Sequence, residues 1–168
     1  MDDMVEFLGP EYLGAHYVTV AREIIRFCNS SIAAVRQASS YGIGIMAEKA
    51  GSHFAQIANE CLQGLKNSIE FQMPASVKEK KQKVKQYKHA KDNAVSALGK
   101  IIKFQSANVD VNALIPNWLG LLPIKADVEE AKLQNEFLVN MLQENPVALL
   151  GDQYQRFELV VLIIAEIC

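Results

Sequence analysis

SSIAAVRQASSYGIGIMAEKAG, residues 30–51, carries the clearest helical pattern in the chain. Its apolar and small residues recur three or four positions apart and therefore share one face of a helix. They are Ile32, Val35, Ser39, Ile43, Met46 and Ala50. The polar residues off this face are predicted to stay in water, namely Arg36, Gln37, Ser40, Glu48 and Lys49. The pattern predicts the inner helix of a repeated two-helix unit.

Glycines within this helix predict close packing against a neighbour. Gly42 and Gly44 would each cost about 1 kcal/mol in an exposed helix. A helix that keeps both is expected to pack its backbone closely against another helix. Gly51 is expected to end the helix as a C-terminal cap.

Similar stripes predict seven helices, after a lead-in over residues 1–10. The helices cover about residues 11–28, 30–51, 52–73, 86–104, 111–122, 127–143 and 152–168. Ser52 is predicted to cap the third helix and Pro116 to kink the fifth, while Trp118 is predicted to lie in the core. The sixth helix is predicted to turn four residues inward, namely Ala131, Asn135, Leu138 and Leu142. No segment alternates with period two, so the chain is predicted to be all-α.

Composition restricts the class of protein. The chain has 168 residues, half of them hydrophobic and 21% charged, with a net charge of −2. This balance gives no overall attraction to nucleic acid or anionic membrane. Cys28, Cys61 and Cys168 are too widely spaced for a disulfide framework and indicate reduced thiols. The most apolar run, residues 159–165, is too short to span a bilayer, so no membrane insertion is expected.

Both ends of the chain have residue patterns that bear on its context. Acidic residues near the start, Asp2, Asp3 and Glu6, stand where a signal peptide would need basic residues. The last residues still follow a helical pattern without a cap. The sequence therefore predicts a piece of a longer protein.

An internal repeat supports a stack of helix pairs. Val35-Arg36 aligns with Ala90-Lys91 and Ala131-Lys132, so the repeat starts lie 55 and 41 residues apart. In the same alignment Gly44 meets Gly99. The spacing of 41 is typical of helical repeats, whose neighbouring units share one core, and the spacing of 55 is that period plus the lysine-rich insertion. The predicted hairpins cover about residues 11–51, 52–105 and 109–145, and residues 146–168 begin the next.

This pattern resembles the HEAT repeat. LIPNWLGLL (114–122), followed by Asp127 and Ala131-Lys132, is similar to the family's proline-containing first helix, turn aspartate and start of the second helix. VRQA (35–38) and YGIG (41–44) are similar to its second helix. The resemblance implies an α-α superhelix, or solenoid, of about three and a half hairpins.

Longer stretches resemble the carboxy-terminal third of the importin-five type of the importin-β, or karyopherin-β, superfamily. They are VRQASSYGIGIMAEKAG (35–51), DNAVSALGKIIKF (92–104) and IPNWLGLLPIKADVEEAKLQNEFL (115–138). The resemblance implies a nuclear transport receptor that binds protein cargo, the GTPase Ran and nuclear pore proteins. It also implies shuttling between cytoplasm and nucleus, a place at the nuclear envelope, and no bond chemistry.

No catalytic or cofactor site is predicted. His16, His53 and His89 are far apart, and none is spaced from a cysteine or carboxylate as a metal ligand would be. Gly42 and Gly44 lie inside a helix, without the strand and loop of a nucleotide site. The sequence therefore predicts no enzyme activity, metal, cofactor or small-molecule ligand.

Two charged clusters are candidate protein-binding sites. Seven lysines fall within residues 78–91, opposed only by Glu79, and include Lys80, Lys81 and Lys83. They are predicted to lie in a solvated loop that joins the fourth helix, or to bind acidic protein, phosphate or RNA. The importin-like resemblance implies that acidic residues early in the sixth helix face cargo or Ran on the same surface as Glu48; they are Asp127, Glu129, Glu130 and Glu136. The alternative is that they are solvated acids, some of them favoured by the helix N-terminus.

Two other classes stay open at this point. One is a HEAT-repeat scaffold of another complex, such as a phosphatase or vesicle-coat subunit. The other is a nucleic-acid-binding helical repeat, which rests on the lysines alone. Only Tyr87 interleaves with them, so a base-stacking surface is not expected.

Overall fold

The computed structural model describes residues 10, 13–77 and 79–167 of the chain. Eight α-helices of five or more residues lie in this part, which contains no β-strand. They are α1 (Tyr17–Arg26), α2 (Ala33–Lys49), α3 (Ala58–Glu70), α4 (Lys81–Phe104), α5 (Val111–Leu119), α6 (Val128–Glu144), α7 (Pro146–Leu150) and α8 (Phe157–Ile167). The predicted lead-in over residues 1–9, the start of the first helix at Glu11, Lys78 and Cys168 lie outside the described residues.

The helices form two layers. Helices α2, α4 and α6 pack side by side, α1 and α3 cover one part of them, and α5 and α7 contact each other farther along. Along α2, Arg36 lies against Tyr87 of α4, and Gly44 lies against Ala97. The two helices therefore run parallel, as equivalent members of successive repeats do. The prediction of an all-α helical-repeat solenoid is confirmed.

One continuous core joins the layers. Its largest fully buried apolar side chains come from both layers; among them are Tyr17, Ile43, Met46, Phe54, Ile57, Leu65, Ile101, Ile115 and Trp118. Each large apolar side chain buried in this way stabilises the fold by about 1.5–3 kcal/mol. Trp118 is fully buried, so its predicted place in the core is confirmed.

Helix α2 is more deeply buried than its sequence suggested. Arg36 and Ser40 are 1% and 0% exposed, so the prediction that they stay in water was wrong. Ile32, predicted to face the core, is 60% exposed because it precedes the helix. The physical reason is that α1, α3 and α4 all contact α2, so more than one face is covered.

The predicted roles of two glycines in this region agree with the structure. A Cβ at Gly44 would lie 3.1 Å from Cδ of Lys100 and 3.6 Å from Cβ of Ala97, so the two helices approach closely there. Gly51 follows the helix with a φ of +52°, the left-handed conformation of a C-terminal cap.

Several predicted boundaries were wrong. Ser52 lies in a 3-10 helix, Gly51–Gln56, and α3 begins only at Ala58, so Ser52 does not cap it. The lysine-rich loop is instead helical from Lys81. The short helix α7 was not predicted at all.

The buried side of α6 also differs from the prediction. Leu138 is buried as predicted, but Ala131, Asn135 and Leu142 are only half-buried. The other buried residues of α6 each lie one position before a residue of the predicted stripe; they are Glu130, Gln134, Phe137 and Met141. Polar partners on α4 draw this face inward, and an apolar pattern cannot reveal them.

Candidate protein-interaction surface

Lysines crowd the first three turns of α4. Lys80 is the N-cap, and the lysines of the first three turns are all exposed; they are Lys81, Lys83, Lys85, Lys88 and Lys91. Together with Lys80 they are called the lysine ridge below. Among the described residues, no carboxylate forms an ion pair with any of them. The first turn of α4 contains no acidic residue to offset the repulsion between these cations and the positive end of the helix dipole, and Glu79 stands one position before the N-cap.

The lysine ridge extends past the neighbouring helices. Helix α4 has 24 residues, whereas α2 and α6 have 17 each. Along α4, its polar contacts with α6 begin at His89 and Asn93, which meet Asp127 at the start of α6. Residues 81–88 therefore precede α6, and at 1.5 Å per residue they extend about 12 Å.

Arg36 fixes α4 where the lysine ridge begins. Its guanidinium carbon lies 3.6 Å from the centroid of the Phe71 ring and 5.0 Å from that of Tyr87. Its Nη1 donates a hydrogen bond of 2.6 Å to the backbone oxygen of Ser30. Burial lowers the pKa of Arg36, while Tyr87 and Cys28 raise it. Cation–π contacts in such a desolvated place contribute about 2 kcal/mol.

A set of hydrogen bonds joins α4 to the start of α6. Asn93 Nδ2 donates to Asp127 Oδ2 at 2.8 Å, and His89 Nδ1 lies 3.4 Å from the same oxygen. Asp92 Oδ2 accepts hydrogen bonds from the backbone N–H groups of Ala126 and Asp127, at 2.6 and 3.0 Å. The loop before α6 is therefore attached to α4 through both side chains and backbone.

Asp127 itself is the N-cap of α6. Its Oδ1 accepts a hydrogen bond from the backbone N–H of Glu130 at 3.3 Å. Burial alone would raise the pKa of Asp127, but hydrogen bonds from Asn93, Glu130 and His89 outweigh it and hold the pKa below its usual value. This residue therefore serves the fold as an ionised cap.

Glu130 also belongs to the interior. It is 8% exposed and accepts a short hydrogen bond from Ser96 Oγ. Gln134 Nε2 donates to the same Ser96 oxygen at 3.0 Å, and Trp118 Nε1 donates to Gln134 Oε1 at 3.1 Å. These bonds connect α4, α5 and α6 across the layers.

The remaining acidic residues lie on the surface. Glu48 and Glu136 line a shallow depression of about 180 Å³ between α2, α4 and α6, which also contains Lys100 and Lys103. Glu129 forms an ion pair with Lys132, at 3.0 Å. The structure thus brings Glu48 and Glu136 together and separates them from Asp127 and Glu130. Their role in binding a partner stays a prediction.

An apolar groove lies on the other layer, between α3 and α5. Its volume is about 710 Å³, and its polar rim includes Asn59, Lys66, Glu70 and Asn117. The floor is formed by aliphatic side chains, namely Leu62, Leu65, Ile69, Leu98, Leu114 and Leu121. Grooves of this size with an apolar floor can accept apolar side chains of a partner.

Sequence reasoning did not find Arg36 or the helical course of the lysine ridge. Arg36, Ser40 and Gly44 lie four residues apart, so helical spacing places them on one face of α2. The charge of Arg36 nevertheless favoured a prediction that its side chain is exposed to solvent. The partners of Arg36 are Phe71 and Tyr87, which are distant in sequence and cannot be inferred from local pattern.

Two other kinds of site, a metal centre and a membrane-spanning helix, are absent from the described residues. No three His, Cys, Asp or Glu side chains in this part of the chain are placed to hold a metal ion. Within the same residues, no helix has the length and apolar character needed to cross a membrane. Cys28 and Cys61 are buried free thiols, and burial raises the pKa of each.

Comparison with known proteins shows a similarity to an importin subunit. No family model matches the chain. Over 114 residues it is 31% identical to Importin subunit beta-3 of Saccharomyces cerevisiae. The match covers 67% of this chain and 10% of that protein, so the chain spans about a tenth of the length of the curated relative that it matches.

Proposed function

The chain is related by sequence to the importin-β superfamily, and from that relationship we propose that it is a HEAT-repeat segment of a nuclear transport receptor. The finer assignment to the importin-five type is part of this proposal. Two independent features support it: the identity to Importin subunit beta-3 and the parallel stacking of α2, α4 and α6. Stacked repeats of this kind offer long surfaces for protein partners.

The proposed activity is binding without bond chemistry. The receptor would carry protein cargo between cytoplasm and nucleus, contact nuclear pore proteins, and release cargo when Ran binds in its GTP form. It would use no cofactor or small-molecule ligand and would not insert into a membrane. The nuclear envelope is where such a receptor would pass, and nucleic acid is not among its expected partners.

Cargo is proposed to contact the layer of α2, α4 and α6. The observation that carries this step is the convergence of Glu48 and Glu136 on one depression, with the exposed Glu129 nearby on α6. Carboxylates at the rim of an interface favour a basic partner and increase its association rate. Lys100 and Lys103 within the depression would restrict binding to cargo that also presents an acidic or polar group.

Neutralising these three carboxylates tests the proposal. The variant Glu48→Gln, Glu129→Gln, Glu136→Gln should bind a basic cargo peptide about fivefold more weakly, since each exposed ion pair contributes roughly 0.2–1 kcal/mol. The matched control is Glu23→Gln, Glu70→Gln, Glu158→Gln, which removes the same charge from exposed positions on α1, α3 and α8. An unchanged affinity, or an equal loss in both variants, would overturn the proposed cargo surface.

A scaffold of another complex remains the second candidate. Such a scaffold would have the same stack of paired helices, but its partner binding would not depend on Ran. Cargo-like binding that is indifferent to the nucleotide on Ran would favour a phosphatase or vesicle-coat type of subunit.

A further inference from the structure

We propose that the lysine ridge, residues 80–91 on the exposed start of α4, is a docking surface for an acidic polypeptide segment. This site is distinct from the carboxylates of the proposed cargo surface and has the opposite charge. The inference does not depend on the proposed transport function.

Charge density is the first observation. Six lysines occupy twelve consecutive positions, and among the described residues none has a carboxylate partner. Cations concentrated at the positive end of a helix destabilise it by about 0.3–1 kcal/mol each in the first turn. Such a cluster raises the local concentration of anionic partners and accelerates their binding. An anionic ligand would remove this repulsion.

Rigidity is the second observation. The helix beneath the lysines is held by Arg36 against Tyr87 and by Asn93 and Asp92 against the start of α6. The lysine Cα atoms are therefore fixed relative to one another, while the flexible side chains can adjust. At 3.6 residues per turn, Lys81, Lys85, Lys88 and Lys91 share one side of α4, within about 120° of its circumference, whereas Lys83 points to the opposite side. From Lys81 to Lys91 this side is about 15 Å long, which an extended peptide of about five residues can follow.

The chemistry of the ridge favours a polypeptide over RNA. Single-stranded nucleic acid binds through bases stacked on exposed aromatic side chains as well as through cations. The aromatic residue within the ridge, Tyr87, already packs against Arg36 and Phe71. The ridge also contains lysine and no arginine. Lysine is a compact point charge without the planar fork that binds phosphate in a bidentate way.

Binding of a fluorescent glutamate-rich peptide to the full chain tests the proposal. The variant Lys81→Gln, Lys85→Gln, Lys88→Gln, Lys91→Gln, which removes the four lysines on one side of α4, should bind it about tenfold more weakly, because each exposed ion pair contributes a factor of roughly two. The matched control is Lys49→Gln, Lys66→Gln, Lys103→Gln, Lys132→Gln, which should stay within about twofold of the parent. Binding should also weaken as salt is added.

Three results would overturn the proposal. They are no binding of the peptide, an equal loss in both variants, and tighter binding of a single-stranded RNA of the same charge. The last result would assign the ridge to nucleic acid instead.

A second variant separates binding from folding. Lys81→Glu places an acidic residue in the first turn of α4, where it should raise the melting temperature by favouring the helix dipole. The same variant should weaken binding of the glutamate-rich peptide. A variant that is more stable yet binds less cannot be explained by misfolding. Retained binding by this more stable variant would contradict the proposal.

Discussion

The guanidinium of Arg36 lies 3.6 Å from the centroid of the Phe71 ring, although 35 positions separate the two residues. The same guanidinium carbon lies 5.0 Å from the centroid of the Tyr87 ring on α4. One buried cation therefore connects α2, the segment after α3, and the start of α4. The position of the lysine ridge depends on this contact.

Replacing Arg36 with alanine should therefore destabilise the chain. The variant loses two ring contacts and the hydrogen bond to Ser30, so the free energy of unfolding should fall by about 2–4 kcal/mol. Urea unfolding followed by circular dichroism measures it. Lys91→Ala is the matched control, because the repeat alignment equates Lys91 with Arg36 but the structure leaves Lys91 exposed. The control should change stability by less than about 0.5 kcal/mol, and equal effects would contradict the account of the buried cation.

At Gly99, helix α4 lies close to side chains of α5 and α6. A Cβ there would lie 2.8 Å from Cδ of Gln134 and 2.9 Å from Nε1 of Trp118. Gly99→Ala should cost about 1–3 kcal/mol, since those side chains must move and their mutual hydrogen bond must lengthen.

Gly120→Ala is the control for this prediction. A Cβ at Gly120 would meet its nearest atom at 3.5 Å, an ordinary contact, and its φ is −64°. The control should be neutral or should stabilise the chain by up to about 1 kcal/mol through the unfolded state. The melting temperatures of the two variants should therefore shift in opposite directions, or by clearly different amounts. An unchanged melting temperature for Gly99→Ala would rule out the close packing at Gly99.

Asp127 should make stability depend on pH in the acid range. Its pKa is lower in the folded chain than the ordinary value of 3.8. Its contribution is therefore complete above that ordinary value and is lost as the pH falls through the folded pKa. Asp127→Asn keeps a good N-cap but removes the charge. The difference in unfolding free energy between parent and variant should shrink as the pH is lowered below about 4.

Asn93→Ala serves as the second variant for Asp127. It removes the largest hydrogen-bond contribution to the lowered pKa, so it should reduce the same pH dependence while leaving the carboxylate in place. If the difference in unfolding free energy between the parent and each variant stays constant across the acid range, these hydrogen bonds do not hold Asp127 ionised.

Local periodicity was enough to predict most of the fold. The stripe through Ile43 and Met46, the core position of Trp118 and the close approach at Gly44 all follow from spacing and residue size. These features depend on the spacing of residues within one helix or on a glycine that has no side chain. Both the spacing and the glycine can be read from a single sequence.

The candidate site was harder to predict because its contacts are distant in sequence and polar. Arg36 was expected in water, since nothing near it signals the rings of Phe71 and Tyr87. Glu130 was expected on the surface because its partner, Ser96, lies 34 residues earlier. The start of α4 was predicted to be a loop because its lysines form a solvated run of charge, and tertiary contacts at Tyr87 and Asn93 hold it as a helix instead.

We propose that the chain belongs to a transport receptor controlled by Ran, and this proposal has a direct test. The most direct measurement is the affinity of the full-length protein for a basic protein cargo, with Ran loaded with GTP and with Ran loaded with GDP. The account predicts that Ran–GTP binds the protein and weakens cargo binding, whereas Ran–GDP leaves it unchanged. Cargo affinity that is the same with both nucleotides would contradict it.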